Sequence, residues 1–231
     1  MPAADPTDVA PLLAAMTDAG YAGQATMLAI PSAWCMSAFV VLASRRLARN
    51  RQAVAYALEE RLPLSAEDMV YDVLTHDTYA LGVAVEAAAM VPVVGALEQA
   101  GIQVATVVPT AMVLLPRLLQ LRRLPHSGVV LLAAGDGCDF LVLSGRRLQQ
   151  WRWLPLESDA LVRETAAFVL AQCDEEAVPV TAINVPDGLA AALGELGDDI
   201  ELTCEACALD EMLVATAADV LTRGTRPWIE L

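Results

Sequence analysis

Residues 44–72, SRRLARNRQAVAYALEERLPLSAEDMVYD, set the reading of the whole chain. Ser44 offers a side-chain oxygen to the free N–H groups of a helix start. The Arg- and Ala-rich run behind it predicts a helix to about Arg61. Leu62-Pro63 ends that helix, because proline lacks an N–H and its ring clashes with the preceding turn. Ser65-Ala66-Glu67-Asp68 then leads into a predicted strand over 69–74 that carries Tyr71 and Asp72. Just upstream, residues 19–44 contain no charge, a length that raises the question of a membrane-spanning helix. Gly20, Gly23, Gln24, Pro31, Ser32 and Ser37 interrupt the run. Two short strands, 26–30 and 34–42, joined as a hairpin at Pro31-Ser32-Ala33, fit it better.

Outward from this core the pattern is mixed α/β. A helix over 9–19 closes on Gly20, a good left-handed cap. After the turn Thr75-His76-Asp77-Thr78 come a strand at 79–86, a helix at 89–100, a strand at 103–108 and a helix at 110–123. The break Leu124-Pro125-His126-Ser127-Gly128 resets the pattern. Strands at 129–133, 138–143 and 147–154 follow in succession. Then helix 158–173, strand 180–185, helix 187–196, strand 200–203 and helix 206–223 alternate. Three strands followed by alternating helix and strand is the order of an RNase H-like unit. The segment 81–108 echoes 180–203: each runs strand, helix, a Leu/Gly-rich stop, strand. The fold class expected is therefore α/β with a duplicated RNase H-like unit. A first unit occupies 1–123, with an inserted helix-hairpin at about 44–80, and a second occupies 128–231 and ends in an extended tail. The first unit lacks the hairpin with which a full unit opens.

Composition narrows the function. With 231 residues the chain can bury a sizeable core. A net charge of −15 disfavours nucleic acid and anionic lipid as partners. All 14 basic residues are Arg, so Schiff-base and Walker-type lysines are excluded. Five irregularly spaced cysteines read as reduced thiols of a cytoplasmic protein. Asp5 and Asp8 stand where a secretory signal would be basic.

The run Ala57-Leu58-Glu59-Glu60-Arg61-Leu62-Pro63-Leu64, then Glu67-Asp68, then a strand with Tyr71-Asp72, resembles the actin-like cytoplasmic part of type II secretion L proteins (GspL) and of type IV pilus PilM proteins. A duplicated RNase H-like unit is the actin-like architecture, which agrees. The resemblance implies an assembly-platform scaffold on the cytoplasmic side of the inner membrane, not a hydrolytic enzyme. Its partners would be a PilN-like inner-membrane platform protein or an assembly ATPase, with homo-oligomers also admitted and membrane contact indirect. In PilM the groove between subdomains receives an extended peptide from PilN.

In nucleotide-hydrolysing relatives, two hairpin turns and a glycine pair hold ATP. The first turn would lie upstream of Met1. The second falls at Ala133-Ala134-Gly135-Asp136-Gly137, with Ala133 where a metal-associated acid is expected. Gly135, Asp136 and Gly137 remain candidates for phosphate contact, but an ordinary hairpin turn explains them as well. Gly188, in Pro186-Asp187-Gly188, stands where a glycine pair is preferred, and Asp187 as a helix cap accounts for the same residues. No catalytic residue, no metal and no cofactor are expected, although an ATP-binding actin-like or sugar-kinase relative stays open. Cys204-Glu205-Ala206-Cys207 has redox or metal spacing but lacks a second pair, and reads as two buried thiols. His76 and His126 read as loop residues, and Trp151 and Trp153 as sharing one strand face. Arg45, Arg46 and Arg49 open a helix, an unfavourable place for cations, and are candidate partner contacts. In the tail Arg226-Pro227-Trp228-Ile229-Glu230-Leu231, Trp228 and Ile229 are further candidates.

Overall fold

The computed structural model describes residues 9–156, 159–172 and 176–223. Helix α1 (Ala10–Asp18) comes first. The charge-free run behind it forms neither a helix nor a hairpin. Strands β1 (Thr26–Ile30) and β2 (Cys35–Val41) are separated by a 3-10 turn, Ser32–Trp34, and lie in different sheets. The physical reason is where each strand buries its apolar side chains. Ile30 packs with Val85 and Met90, whereas Val40 joins a cluster around Val54 and Leu58. Among the described residues no helix is long and apolar enough to cross a membrane.

The predicted helix of 44–61 is two helices. Ser44 caps α2 (Arg45–Ala48), accepting from the Leu47 N–H at 3.3 Å. Asn50 then starts α3 (Arg51–Glu59), its side chain accepting from Gln52 and Ala53 N–H. Asparagine competes for backbone donors and so begins helices more readily than it continues them. Strands β3 (Met69–His76) and β4 (Tyr79–Glu86) form a hairpin, so His76 ends a strand and is not a loop residue. β2 pairs antiparallel with the other edge of β4, giving the order β2-β4-β3. The inserted unit thus spans Cys35–Glu86, and β2 belongs with the helix-hairpin read at 44–80. Helix α3 lays Val54, Ala55 and Leu58 on this sheet, against Val40, Ala80 and Ala84. Gly82 of β4 lets the helix approach: a Cβ there would sit 2.3 Å from both Leu58 methyl carbons.

Helix α4 (Ala87–Gln99) leads to β5 (Val104–Pro109), which pairs in parallel with β1, and helix α5 (Thr110–Gln120) follows. The second unit opens with an antiparallel meander, β6 (Gly128–Ala134), β7 (Gly137–Ser144) and β8 (Arg147–Pro155). Helix α6 (Ala160–Gln172), β9 (Val178–Ile183), α7 (Asp187–Gly194), β10 (Ile200–Glu205) and α8 (Leu209–Arg223) complete it. β9 is parallel to both β6 and β10, so the sheet runs β10-β9-β6-β7-β8. This is the RNase H-like unit expected. Its sheet is covered on both faces, which is why the run "VVLLA" at 129–133 shows no polar alternation. Val130, Leu132, Leu141 and Leu143 share a core with α5 and α8. Val129, Leu131, Phe140 and Val142 pack instead with Leu161 of α6 and Leu193 of α7.

The internal echo is real but shifted. The counterpart of β9 in the first unit is β1, because β1 is the strand that lies parallel beside β5. The sequence reading had placed it at the strand of 79–86. Both edges of that strand, β4, are already taken by β2 and β3, leaving none for β5.

The contact between Leu58 and Gly82 gives a test of the insert's packing. Leu58→Ala should cost about 2–5 kcal/mol and Gly82→Ala about 1–3 kcal/mol. In denaturant titration the double variant should lose less than the sum, because the smaller side chain makes room for the new methyl.

Candidate functional site

Among the described residues, two concavities and one buried polar cluster bear on the candidate sites. The first concavity lies beside the Ala133–Gly135 turn that the resemblance associates with phosphate. A cleft of about 580 Å³ is lined by Ala133, Ala134 and Gly135, by Asn184 and Pro186, and by Cys207 through Glu211. Gly135 (φ +63°) therefore faces it, but the other predicted residues do not converge there. Asp136 is outside the lining, and its carbonyl accepts from Leu156 N–H. Gly137 serves packing, since a Cβ would meet the Trp153 indole at 2.1 Å. Gly188 lies in the first turn of α7, outside the lining. The charged side chains of the lining are Asp210 and Glu211, in the first turn of α8. Carboxylates there take up the positive end of the helix dipole and repel phosphate.

Asn184, which the sequence reading passed over, organises this cleft from a left-handed position (φ +53°). Its Nδ2 donates to the Cys207 carbonyl at 2.8 Å, its Oδ1 accepts from Cys207 N–H at 2.7 Å, and its own N–H donates to Glu205. The Cys204/Cys207 pair is not a buried pair of thiols. Cys204 is exposed, because β10 is the last strand of its sheet; Cys207 is half-buried, 3.0 Å from the Met212 sulfur. Among the described residues no group of three or more His, Cys, Asp or Glu is placed to hold a metal.

The buried polar cluster also escaped the sequence reading, although an Asp within the apolar run "CDFLVL" was its signal. Asp139 of β7 is 3% exposed. Its Oδ1 accepts from the Trp151 indole N–H at 2.7 Å, and its Oδ2 from the Ser32 hydroxyl at 3.0 Å. Burial pushes this carboxyl up to about 6, against the pull of the two hydrogen bonds. Burial, helped by the charge of Asp139, also pushes the Cys35 thiol to about 12 and raises that of Cys138. The Ser37 hydroxyl donates to the Trp151 carbonyl, so both ends of the link between β1 and β2 are tied to the second unit. Trp151 and Trp153 share a strand face as expected. Trp151 is fully buried, and the Trp153 ring covers Gly137.

The second concavity is an apolar groove of about 400 Å³ between β3 and helix α4. Val70, Leu74, Val83 and Val85 form one wall, Val91 and Val94 the other. Val70 and Val91 are 47% and 61% exposed at its mouth, an unusual state for two neighbouring aliphatic side chains. β3 is the outer strand of its sheet, with one backbone edge unpaired within the sheet. Asp72 and Glu98 supply the carboxylates of the lining, and Asp72 is paired with Arg51 at 3.1 Å. None of the predicted partner-contact residues lines this groove. Arg45 pairs with Asp77 at 2.7 Å, and Arg46 and Arg49 are exposed at the far end of the inserted sheet. Trp228 and Ile229 lie outside the described residues.

Residues 9–123 match the family model described as "Type II secretion system (T2SS), protein L". Most of the chain also superposes on solved structures. The cytoplasmic domain of EpsL from Vibrio cholerae, an inner-membrane component of the type II secretion system, is 16% identical with a TM-score of 0.60; the match covers 90% of this chain and 80% of that one. A PilM–PilN type IV pilus biogenesis complex gives 16% identity and a TM-score of 0.68, over 97% and 87% of the two chains. The first half of the chain is thus similar to type II secretion protein L, and the chain has an actin-like fold. A Bacteroides thetaiotaomicron protein with actin-like ATPase fold agrees, at 11% identity, a TM-score of 0.62, and coverage of 90% and 80%. A comparison with curated proteins finds no match. This actin-like architecture holds a cleft lined by Asp210 and Glu211 and an apolar groove beside the edge strand β3.

Asp139 makes stability depend on pH. Folding raises its pKa from the ordinary 3.8 to about 6, so the folded chain holds the proton more tightly than the unfolded one. The contribution is complete below pH 4 and is lost as pH rises through 6, amounting to about 3 kcal/mol at about 1.4 kcal/mol per unit. In urea titrations between pH 4 and 7, Asp139→Asn should flatten this fall and leave the variant at least as stable as wild type at pH 7.

Proposed function

We propose that this chain is a catalytically inactive, actin-like scaffold of a type II secretion or type IV pilus inner-membrane platform. It works on the cytoplasmic side, peripheral to the membrane, by holding an extended segment of a platform protein. The observation that carries this reading is the groove between β3 and α4. It joins exposed aliphatic side chains to a strand edge with no neighbouring strand, where Arg51 holds the Tyr71 carbonyl and Asp72 the Val73 N–H; an added strand needs such pockets for alternate side chains and an edge to pair with. The occupant is a PilN-like inner-membrane protein, in keeping with the similarity to a structure in which PilM is held together with PilN. An assembly ATPase is the second partner class. The inactive assignment is supported by Ala133 in place of an acid, by Asp210 and Glu211 in the cleft, and by the dispersal of Asp136, Gly137 and Gly188 away from it.

Fluorescence anisotropy with an extended cytoplasmic peptide of a PilN-like platform protein tests the groove. Val70→Glu with Val91→Glu should weaken binding at least about tenfold, the loss of roughly one buried aliphatic side chain. The melting temperature should hardly move, since both side chains are exposed. Unchanged binding would sink the assignment. Calorimetry with Mg-ATP should show no heat of binding at millimolar nucleotide. Tight, magnesium-dependent binding would instead revive the actin-like ATPase or sugar-kinase alternative.

A further inference from the structure

Charge is divided unevenly along this chain. Residues 44–58 contain four Arg and no acid, within a protein of net charge −15. Residues 164–222 contain 13 acids and no base. The fold gathers part of each excess on a different surface. Arg45, Arg46 and Arg49 cluster on α2 and its end, at the tip of the inserted sheet where β2 stops and β3 turns into β4. Arg45 is held by Asp77, which leaves Arg46 and Arg49 extended into solvent. Apolar side chains stand beside them. Val41 and Tyr79 are directly opposed across β2 and β4, 65% and 43% exposed, and Leu47 lies on α2 itself. Arginines around exposed aliphatic and aromatic side chains have the composition of an interface centre, where Arg and Tyr are enriched.

The acidic surface is at the other end of the strand order. β10 is the outer strand of the five-stranded sheet, roughly 19 Å from β8 at the usual spacing of about 4.8 Å between strands. The inserted sheet adjoins the opposite side of that sheet, with Ser37 of β2 bonded to Trp151 of β8. Glu195, Asp198, Asp199 and Glu201 are exposed together at the entry to β10. Glu195 caps the C-terminal end of α7, where the helix dipole disfavours it. Arg123, from outside residues 164–222, pairs with Glu205 at the other end of β10 at 3.7 Å, while these four carboxylates stand exposed to solvent.

We propose that the basic tip of one molecule docks on the acidic β10 edge of a second copy of this chain. The two surfaces differ, so the contact is heterologous and leaves one tip and one edge free at the ends of every assembly. It uses neither the β3 groove nor the cleft, and the partner peptide and the second copy can be held together. Two opposing electrostatic effects set its salt dependence. The overall negative charge repels at long range, but screening beyond about 8 Å at about 0.15 M salt suppresses this while short Arg–carboxylate contacts survive. Association should therefore peak at intermediate ionic strength and fall at both extremes.

Sedimentation velocity on the whole chain tests this. The weight-average sedimentation coefficient of wild type should rise with concentration at about 0.15 M salt and return to the monomer value at about 1 M. Arg46→Glu with Arg49→Glu, and separately Asp198→Arg with Glu201→Arg, should each weaken association at least about tenfold. All four positions are exposed, so circular dichroism should show both variants folded. Mixing the two variants restores opposite charges at every junction and should restore association. A monomer at all concentrations, association that ignores either charge reversal, or failure of the mixture to recover would each overturn the proposal. If the basic tip binds only an acidic segment of another protein, wild type alone stays monomeric, and that result also overturns it.

Discussion

A buried carboxylate joins the two halves of this molecule. Leaving Asp139 unpaired inside the sheet would cost several kcal/mol, so the fold must bring it donors. One comes from its own sheet, the indole of Trp151 on the adjacent strand β8 and on the same face. The other comes from Ser32, at the root of the inserted unit. Satisfying one polar group thus fixes where the chain leaves β1 and enters β2. The placement of the inserted sheet beside α4 follows from that, and with it the groove. Cys35 lies in the same low-dielectric environment, which holds its thiol protonated and chemically quiet.

How far the sequence reveals this depends on the range of the interactions involved. The second unit was legible almost element by element, because its strands, turns and caps are decided by local pattern. Gly135 and Gly145 both mark tight turns between neighbouring strands. The first unit was less legible because its strands pair with neighbours far away in the chain. Thr26–Ile30 looks like the first arm of a hairpin until Val104–Pro109, some eighty residues on, claims its edge. Asn50 shows the limit of propensity: within an Arg- and Ala-rich run it reads as helix, yet its side chain starts a new one.

The candidate sites divide along the same line. Residues grouped by family motif, Gly135, Asp136, Gly137 and Gly188, proved to have separate jobs, and only Gly135 faces the cleft. The groove was invisible because its walls come from two elements that each look like ordinary core. Val70 belongs to an alternating strand and Val91 to an apolar helix, and neither sequence announces that both side chains remain exposed. Asn184 was hidden for a simpler reason: its role rests on a left-handed backbone and two hydrogen bonds to a residue 23 positions away.

The unpaired edge of β3 carries a further consequence. An edge strand is open to pairing with any other strand in the cell, and long apolar edges seed aggregates. Here the edge guards itself. Asp72 sits midway along it, held by Arg51, whose guanidinium also bonds the Tyr71 carbonyl and lies over the Tyr71 ring. A stray hydrophobic strand sliding along β3 would have to bury that carboxylate or displace its arginine. The ion pair beside the groove thus acts as a gatekeeper against indiscriminate strand pairing.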